Sequence, residues 1–243
     1  MNASLIAAVK RPLRYAYAAI FRYAYVAIFP QASETSLKER AEFAYWKRRY
    51  SAEGRQLSNS HYEALYTTVY GLSHADYVGK RVIDIGCGPR GSLEWADMVE
   101  QRVGLDPLVP QYLKLGADQH KMEYCAAPSE KIPYPQSHFD IVTCLNALDH
   151  VEDFERTVAE IKRVTKNGGL FLLSVEIDHP PTPTEPISLT RDMLRRLEPE
   201  FQVKSERYVG TPDDHGLHQA VLAGQPPYQD GKPGIYIAMM ERV

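Results

Sequence analysis

Val82-Ile83-Asp84-Ile85-Gly86-Cys87-Gly88-Pro89-Arg90-Gly91 is a short apolar, β-forming run that carries one acid and passes straight into a glycine turn. Ser92 stands where a helix N-cap would, and Leu93-Glu94-Trp95-Ala96-Asp97-Met98 reads as the first turns of a helix over 92–101. Glycine lacks the Cβ that keeps a ligand off the backbone, and the free N–H groups of a helix start point at whatever binds there. Gly86, Gly88 and Gly91 have the spacing G-x-G-x-x-G, and Asp106 ends a second apolar run, Arg102-Val103-Gly104-Leu105-Asp106, twenty positions after Gly86. Such an acid can accept two ribose hydroxyls, so the pattern predicts a ligand that carries a ribose. A bare strand-to-helix turn explains the glycines but not the distal acid.

The flanking chain alternates in the same way. Strand-like runs fall near 81–86, 102–106, 121–126, 139–145 and 169–177, and helical spacings near 92–101, 109–116, 152–166 and 190–198. This alternation predicts an α/β fold with a parallel sheet covered by helices on both faces. Ligands of such sheets bind at the carboxyl ends of the strands, where the turns after Ile85, Leu105, Ala126, Leu145 and Val175 lie. Two further strand-like runs, 201–209 and 234–240, follow and are joined by a polar stretch read as a loop.

Four stretches, in order, resemble the class I S-adenosylmethionine-dependent methyltransferases of the type 11 kind. Ile83-Asp84-Ile85-Gly86-Cys87-Gly88 resembles their first motif, and Gly104-Leu105-Asp106-Pro107 their second. Ser129 to Pro135 with Phe139-Asp140-Ile141-Val142-Thr143 resembles the entry to their fourth strand, and Asn167-Gly168-Gly169-Leu170-Phe171 the turn into their fifth. The resemblance implies a Rossmann-like sheet, mostly parallel with a C-terminal antiparallel hairpin, preceded by N-terminal helices. It implies S-adenosylmethionine as cofactor. Gly86, Cys87 and Gly88 would pass beneath its methionine and ribose, with Asp84 organising the turn from below. Asp106 would take the ribose hydroxyls, and Pro107 and Leu108 would border the adenine. Ser129 and Glu130 would meet the adenine edge, since Pro128 stands where relatives carry an acid. Asn146 completes the expected set. A nicotinamide-dependent oxidoreductase is the lesser reading, because no catalytic part follows the alternating units.

The acceptor is expected beyond the fourth strand, at Cys144-Leu145-Asn146-Ala147-Leu148-Asp149-His150. An alcohol or phenol loses a proton on methylation, and His150 has a suitable ordinary pKa to receive it. Asp149 or Glu152 can orient the ring; the competing reading of His150 is a helix-start residue bonded to backbone. Asn146-x-x-Asp149-His150 also resembles the E-x-x-E-H run of ubiquinone-type O-methyltransferases, in which the acids bind a divalent ion. Asn in place of the first acid removes a charged oxygen, so no metal is expected. His179 to Pro186, with four prolines, and Gly210 to Gly234 read as two loops that cover the substrate.

The 243 residues divide into three expected parts: a basic, aromatic helix over 1–33, a helical cap over 34–78 and the methyltransferase domain over 79–243. Tyr45, Trp46, Tyr50, Tyr62 and Tyr66 of the cap are read as core or as pocket wall. The first 33 residues hold Lys10, Arg11, Arg14 and Arg22 and no acid, although the whole chain has a net charge of −3. Two readings stand for them: a helix lying on an anionic membrane surface, or one packed on protein. Arg22 breaks the apolar run, so a membrane span is not expected. Three cysteines without paired spacing read as reduced packing residues of a cytoplasmic protein, with any membrane contact peripheral and on the inner face. Nothing in the charge points to nucleic acid. The expected activity is O-methylation of a small molecule, a glycan precursor or a lipid-linked acceptor; the alternative is an adaptor that keeps the pocket without chemistry.

Overall fold

The computed structural model describes residues 34–212 and 216–243. The basic segment 1–33 lies outside the described residues, and so does any account of its membrane contact.

Seven strands form one sheet: β1 (Arg81–Ile85), β2 (Gln101–Leu105), β3 (Glu123–Cys125), β4 (Phe139–Leu145), β5 (Thr165–Ile177), β6 (Phe201–Gly210) and β7 (Gly234–Arg242). Their order is β3-β2-β1-β4-β5-β7-β6. The first five are parallel, and β7 runs antiparallel to both β5 and β6. This is the mixed sheet the sequence implies. The direction of winding reverses between β1 and β4, and the crevice at that reversal is where open α/β sheets take their ligands. Ile85 pairs with Leu105 and Leu105 with Cys125, so the turns after β1, β2 and β3 emerge side by side.

The described helices are α1 (Glu34–Ala52), α2 (Tyr62–Tyr66), α3 (His74–Tyr77), α4 (Val109–Tyr112), α5 (Phe154–Val164), α6 (Arg191–Leu194) and α7 (Leu217–Ala223). One sheet face packs Phe154, Val158, Ile161, Leu194 and Leu197 against Ile83, Val142 and Phe171. The other face is covered by Tyr62, Tyr66, Tyr70 and Tyr77 from the cap, with Ala220 and Val221 of α7. The cap tyrosines are therefore mainly core, as large apolar rings buried on a sheet face should be.

Two expectations fail. No helix forms over 92–101; residues 92–100 run as successive turns, closed by short bonds such as Glu94 N–H to Gly91 O at 3.0 Å and Ala96 N–H to Leu93 O at 3.1 Å. The Ser92 hydroxyl donates to Asp84 Oδ2 at 2.5 Å, which ties this segment to the end of β1. The helix N-terminus expected to face the ligand is thus not part of this turn. Conversely, the stretch read as a loop between 210 and 234 holds α7, which buries Ala220 and Val221. No helix among the described residues is long and apolar enough to cross a membrane.

Candidate functional site

The floor of the site is the turn after β1. Gly86 and Gly88 have φ of +73° and +59°, a region that L side chains adopt only with strain. Asp84 lies beneath them, 2% exposed, and accepts from Tyr66 Oη (2.8 Å), Ser92 Oγ (2.5 Å) and Thr143 Oγ1 (2.6 Å). Burial raises its pKa to about 6, against the lowering effect of those three hydroxyls. Both of its oxygens are engaged inside the protein, where Asp84 fixes the turn from below. Cys87 is buried against Gly104, where an added Cβ would stand 2.7 Å from its Sγ. Its thiol is held well above the ordinary range by burial, so it is packing rather than a reactive group.

Asp106 closes the other side. Its Oδ1 accepts from Leu108 N–H at 2.8 Å and its Oδ2 from Gly88 N–H at 3.3 Å. The two motifs are thereby tied together, with the carboxylate 7% exposed between them. Leu108 is buried with Tyr112 and Ala117, and Trp46 of α1 packs on that group. A Cβ on Gly88 would meet Trp46 Cζ2 at 3.2 Å, so the indole lies directly on the glycine turn. Trp46 is held there by Glu42, which accepts from its Nε1 at 3.0 Å, and by the Arg90 guanidinium 5.5 Å from its ring. Of the aromatic residues weighed in the cap, Trp46 packs on the glycine turn and Tyr66 bonds Asp84 beneath it, whereas Tyr45 is 46% exposed.

The side chains of Ser129 and Glu130 are bonded within the protein. The Ser129 hydroxyl is shared with Thr157 Oγ1 at 2.9 Å. Glu130 Oε1 accepts the backbone N–H groups of Glu152 (2.8 Å) and Asp153 (3.0 Å), which shapes the approach to α5.

Beyond β4 the chain turns at Asn146, which has φ +56°. An added Cβ on Gly86 would stand 2.3 Å from Ala147 Cβ, so the segment 146–150 rests directly on the glycine turn. Here the structure gathers charged groups that the sequence scatters. Asp149 is 1% exposed; His150 Nε2 is 4.0 Å from its Oδ1, and His179 Nε2 is 3.5 Å from its Oδ2. The expected Asp149–His150 hydrogen bond is therefore not formed, although the two groups face each other. Glu152, the other proposed partner, binds Lys38 Nζ at 2.5 Å, and the same ammonium donates to the His150 carbonyl. Burial pulls the His150 pKa down, but Asp149, Glu42 and Glu185 outweigh it and leave the ring more basic than usual. Burial likewise opposes a charge on His179, yet Asp149 and the Pro180 carbonyl raise it to about 9. Glu176 is pushed up to about 7 by burial and by Glu185. His179, Glu185 and Glu176 were not singled out from sequence; the only hint was the stiff proline-rich loop that two of them flank.

Residues 83–173 match the family model described as a methyltransferase domain. The chain is 34% identical over 109 residues to the ubiquinone biosynthesis O-methyltransferase of Nitrosospira multiformis, covering 42% of this chain and 45% of that protein. It is also 34% identical over 110 residues to the ubiquinone/menaquinone biosynthesis C-methyltransferase of Pseudomonas fluorescens, covering 39% and 41%. The alignments thus span less than half the length of these curated relatives. Among solved structures, the [4+2]-cyclase SpnF superposes with a TM-score of 0.56 at 19% identity, covering 74% of this chain and 77% of that one. That last likeness is one of fold.

Proposed function

We propose that this chain, whose residues 83–173 belong to the methyltransferase-domain family, transfers a methyl group from S-adenosylmethionine to a hydroxyl of a small-molecule, glycan-precursor or lipid-linked acceptor. The cofactor supplies a methyl on a cationic sulfur that leaves uncharged. The residues present suit it: two glycines at positive φ, an acid joining the two motif turns, and apolar Leu108 beside that acid. Asp106 binds the ribose hydroxyls, and Trp46 and Leu108 enclose the neighbouring apolar surface. The protein's share of the chemistry is alignment, exclusion of water and removal of the hydroxyl proton. His150 accepts that proton, with Asp149 stabilising the imidazolium.

The observation that carries this reading is the contact of the glycine turn with Ala147, which sets His150 and Asp149 beside the cofactor's floor. His150→Ala should lower the rate of S-adenosylhomocysteine release by roughly 100-fold or more on a phenol and alcohol panel, with cofactor affinity unchanged. Full turnover by this variant removes the base, and methylation at carbon replaces methylation at oxygen. Cofactor binding without turnover by the native protein on any acceptor favours the adaptor reading.

The cofactor's pH dependence follows from Asp106. Burial pushes this carboxyl up to about 7, against the N–H bonds of Leu108 and Gly88. A ribose hydroxyl donates best to the ionised form. Affinity for S-adenosylhomocysteine should be full above pH 7 and fall by up to about tenfold per unit below it. The empty fold responds in the opposite sense, because a raised folded pKa gives stability at low pH that is lost as the pH rises through about 7. Calorimetry from pH 5.5 to 8.5 reads the first effect; a flat dissociation constant refutes it.

A further inference from the structure

We propose that His179 is a positioning residue for methyl transfer. From the loop after β5 it holds the Asp149 carboxylate so that the other oxygen of Asp149 faces His150, which fixes the nitrogen of that ring that takes the acceptor proton. The inference rests on the O-methylation reading above and adds the residue that stands behind the acid and the base.

Asp149 stands between two imidazoles. Its Oδ2 lies 3.5 Å from His179 Nε2, and its Oδ1 lies 4.0 Å from His150 Nε2. The side chains of His179 and Asp149 are 5% and 1% exposed. Among the described residues, neither carboxylate oxygen of Asp149 has a hydrogen-bond partner. A carboxylate so enclosed is costly unless a cation faces it. The contacts of His179 make it that cation. Its Nδ1 is 3.0 Å from the Pro180 carbonyl, which can only accept, so Nδ1 carries a proton. The carboxylate at Nε2 also only accepts, so that nitrogen is protonated too. Closing the 3.5 Å gap by about half an ångström makes it a charge-assisted hydrogen bond. The loop keeps the ring in place. Ser188 Oγ donates to the His179 carbonyl at 2.6 Å, and Asp178 N–H bonds the Leu189 carbonyl at 2.8 Å. Ile187 N–H bonds the Asp149 carbonyl at 3.3 Å, so the loop that carries His179 is fastened to Asp149 itself. Pro180, Pro181, Pro183 and Pro186 restrict the backbone between.

The consequence falls on His150. A carboxylate faces each of its nitrogens: Asp149 at Nε2, and Glu42 Oε2 at 3.9 Å from Nδ1. The two are not equal. Glu42 lies on α1 with its side chain 25% exposed, and its Oε1 already accepts from Trp46. Asp149 is buried and held from behind by His179, so it is the stronger anchor. His150 Nε2 is itself buried. The neutral ring is thus fixed with its proton on Nε2, towards Asp149, and Nδ1 is the atom left to take the acceptor proton. A general base held in this way by a third group keeps one tautomer and one orientation.

Nitrogen NMR on full-length protein labelled with ¹⁵N-histidine reads this tautomer without turnover. The protein is saturated with S-adenosylhomocysteine at a pH where His150 is neutral, and His150→Gln identifies the signals of that ring. The native ring should be the Nε2–H tautomer by roughly 10 to 1 or more. His179→Gln puts an amide N–H where Nε2–H stood, so it should keep the tautomer and hold kcat within about fivefold. His179→Asn puts its N–H on the Nδ1 side and does not reach Asp149. It should give mixed tautomers and lower kcat by roughly 100-fold, with the KM for S-adenosylmethionine unchanged. A residue that only ties the loop would leave the tautomer alone in both variants. The inference is overturned if the neutral native ring carries its proton on Nδ1. It is also overturned if His179→Asn, shown folded by native S-adenosylhomocysteine affinity, keeps the native tautomer. If the tautomers behave as expected but the native protein methylates no acceptor, the proposed activity falls and the hold of His179 and Asp149 on His150 stands.

Discussion

Asp106→Ala should weaken S-adenosylhomocysteine binding by roughly 100- to 1,000-fold, the loss of two hydrogen bonds to a charged acceptor. The effect has two sources in the structure. The carboxylate is the group proposed to receive the ribose hydroxyls, and it ties Gly88 N–H to Leu108 N–H across the two motifs. Asp106→Asn keeps the shape and one acceptor oxygen, so it should lose less and separate the charge from the tie. Calorimetry gives the affinities, and circular-dichroism melting shows whether either variant is misfolded. A Kd within threefold of the native value for a folded Asp106→Ala protein would remove the cofactor assignment.

Gly86→Ala should be the most damaging single methyl group in the chain. The new Cβ would meet Ala147 Cβ at 2.3 Å, and the backbone there sits at φ +73°. Positive φ costs an alanine about 1–2 kcal/mol, and the forced movement of the 146–150 segment adds about 1–3 kcal/mol. Together these predict a Tm drop of roughly 5–15 °C and loss of cofactor binding. Gly168→Ala is the internal control. It has the same φ of +73°, but nothing lies within 4 Å of its added Cβ, so only the backbone cost remains. If both variants melt within about 2 °C of each other, the two turns are not in contact and the site as described is wrong.

The strands were legible because their cues are local. Short apolar runs bounded by glycine or polar turns mark all seven strands, although β5 begins at Thr165 rather than 169 and β3 is only Glu123–Cys125, and the glycine spacing with Asp106 locates the crevice. The helix expected over 92–101 rested on a serine before an amphipathic run, which reads as a cap; that Ser92 also reaches Asp84 on the neighbouring strand is a tertiary contact no local pattern shows. The helix α7 was missed because its apolar residues are few in a polar stretch, and only the sheet face beneath Ala220 and Val221 rewards them. The bonds of Glu130 were hidden for the same kind of reason: its partners, the N–H groups of Glu152 and Asp153, come from another turn.

By itself the sequence determined the α/β order, the mostly parallel sheet and the glycine-and-acid crevice, since hydrophobic period and backbone sterics act between near neighbours. Only the tertiary structure decided what stands around that crevice: Trp46 laid on Gly88, and Asp149 enclosed by His150, His179 and Glu185. Those meetings join segments far apart along the chain, where no residue carries a mark of its distant partner, and burial then gives each charged group its strength.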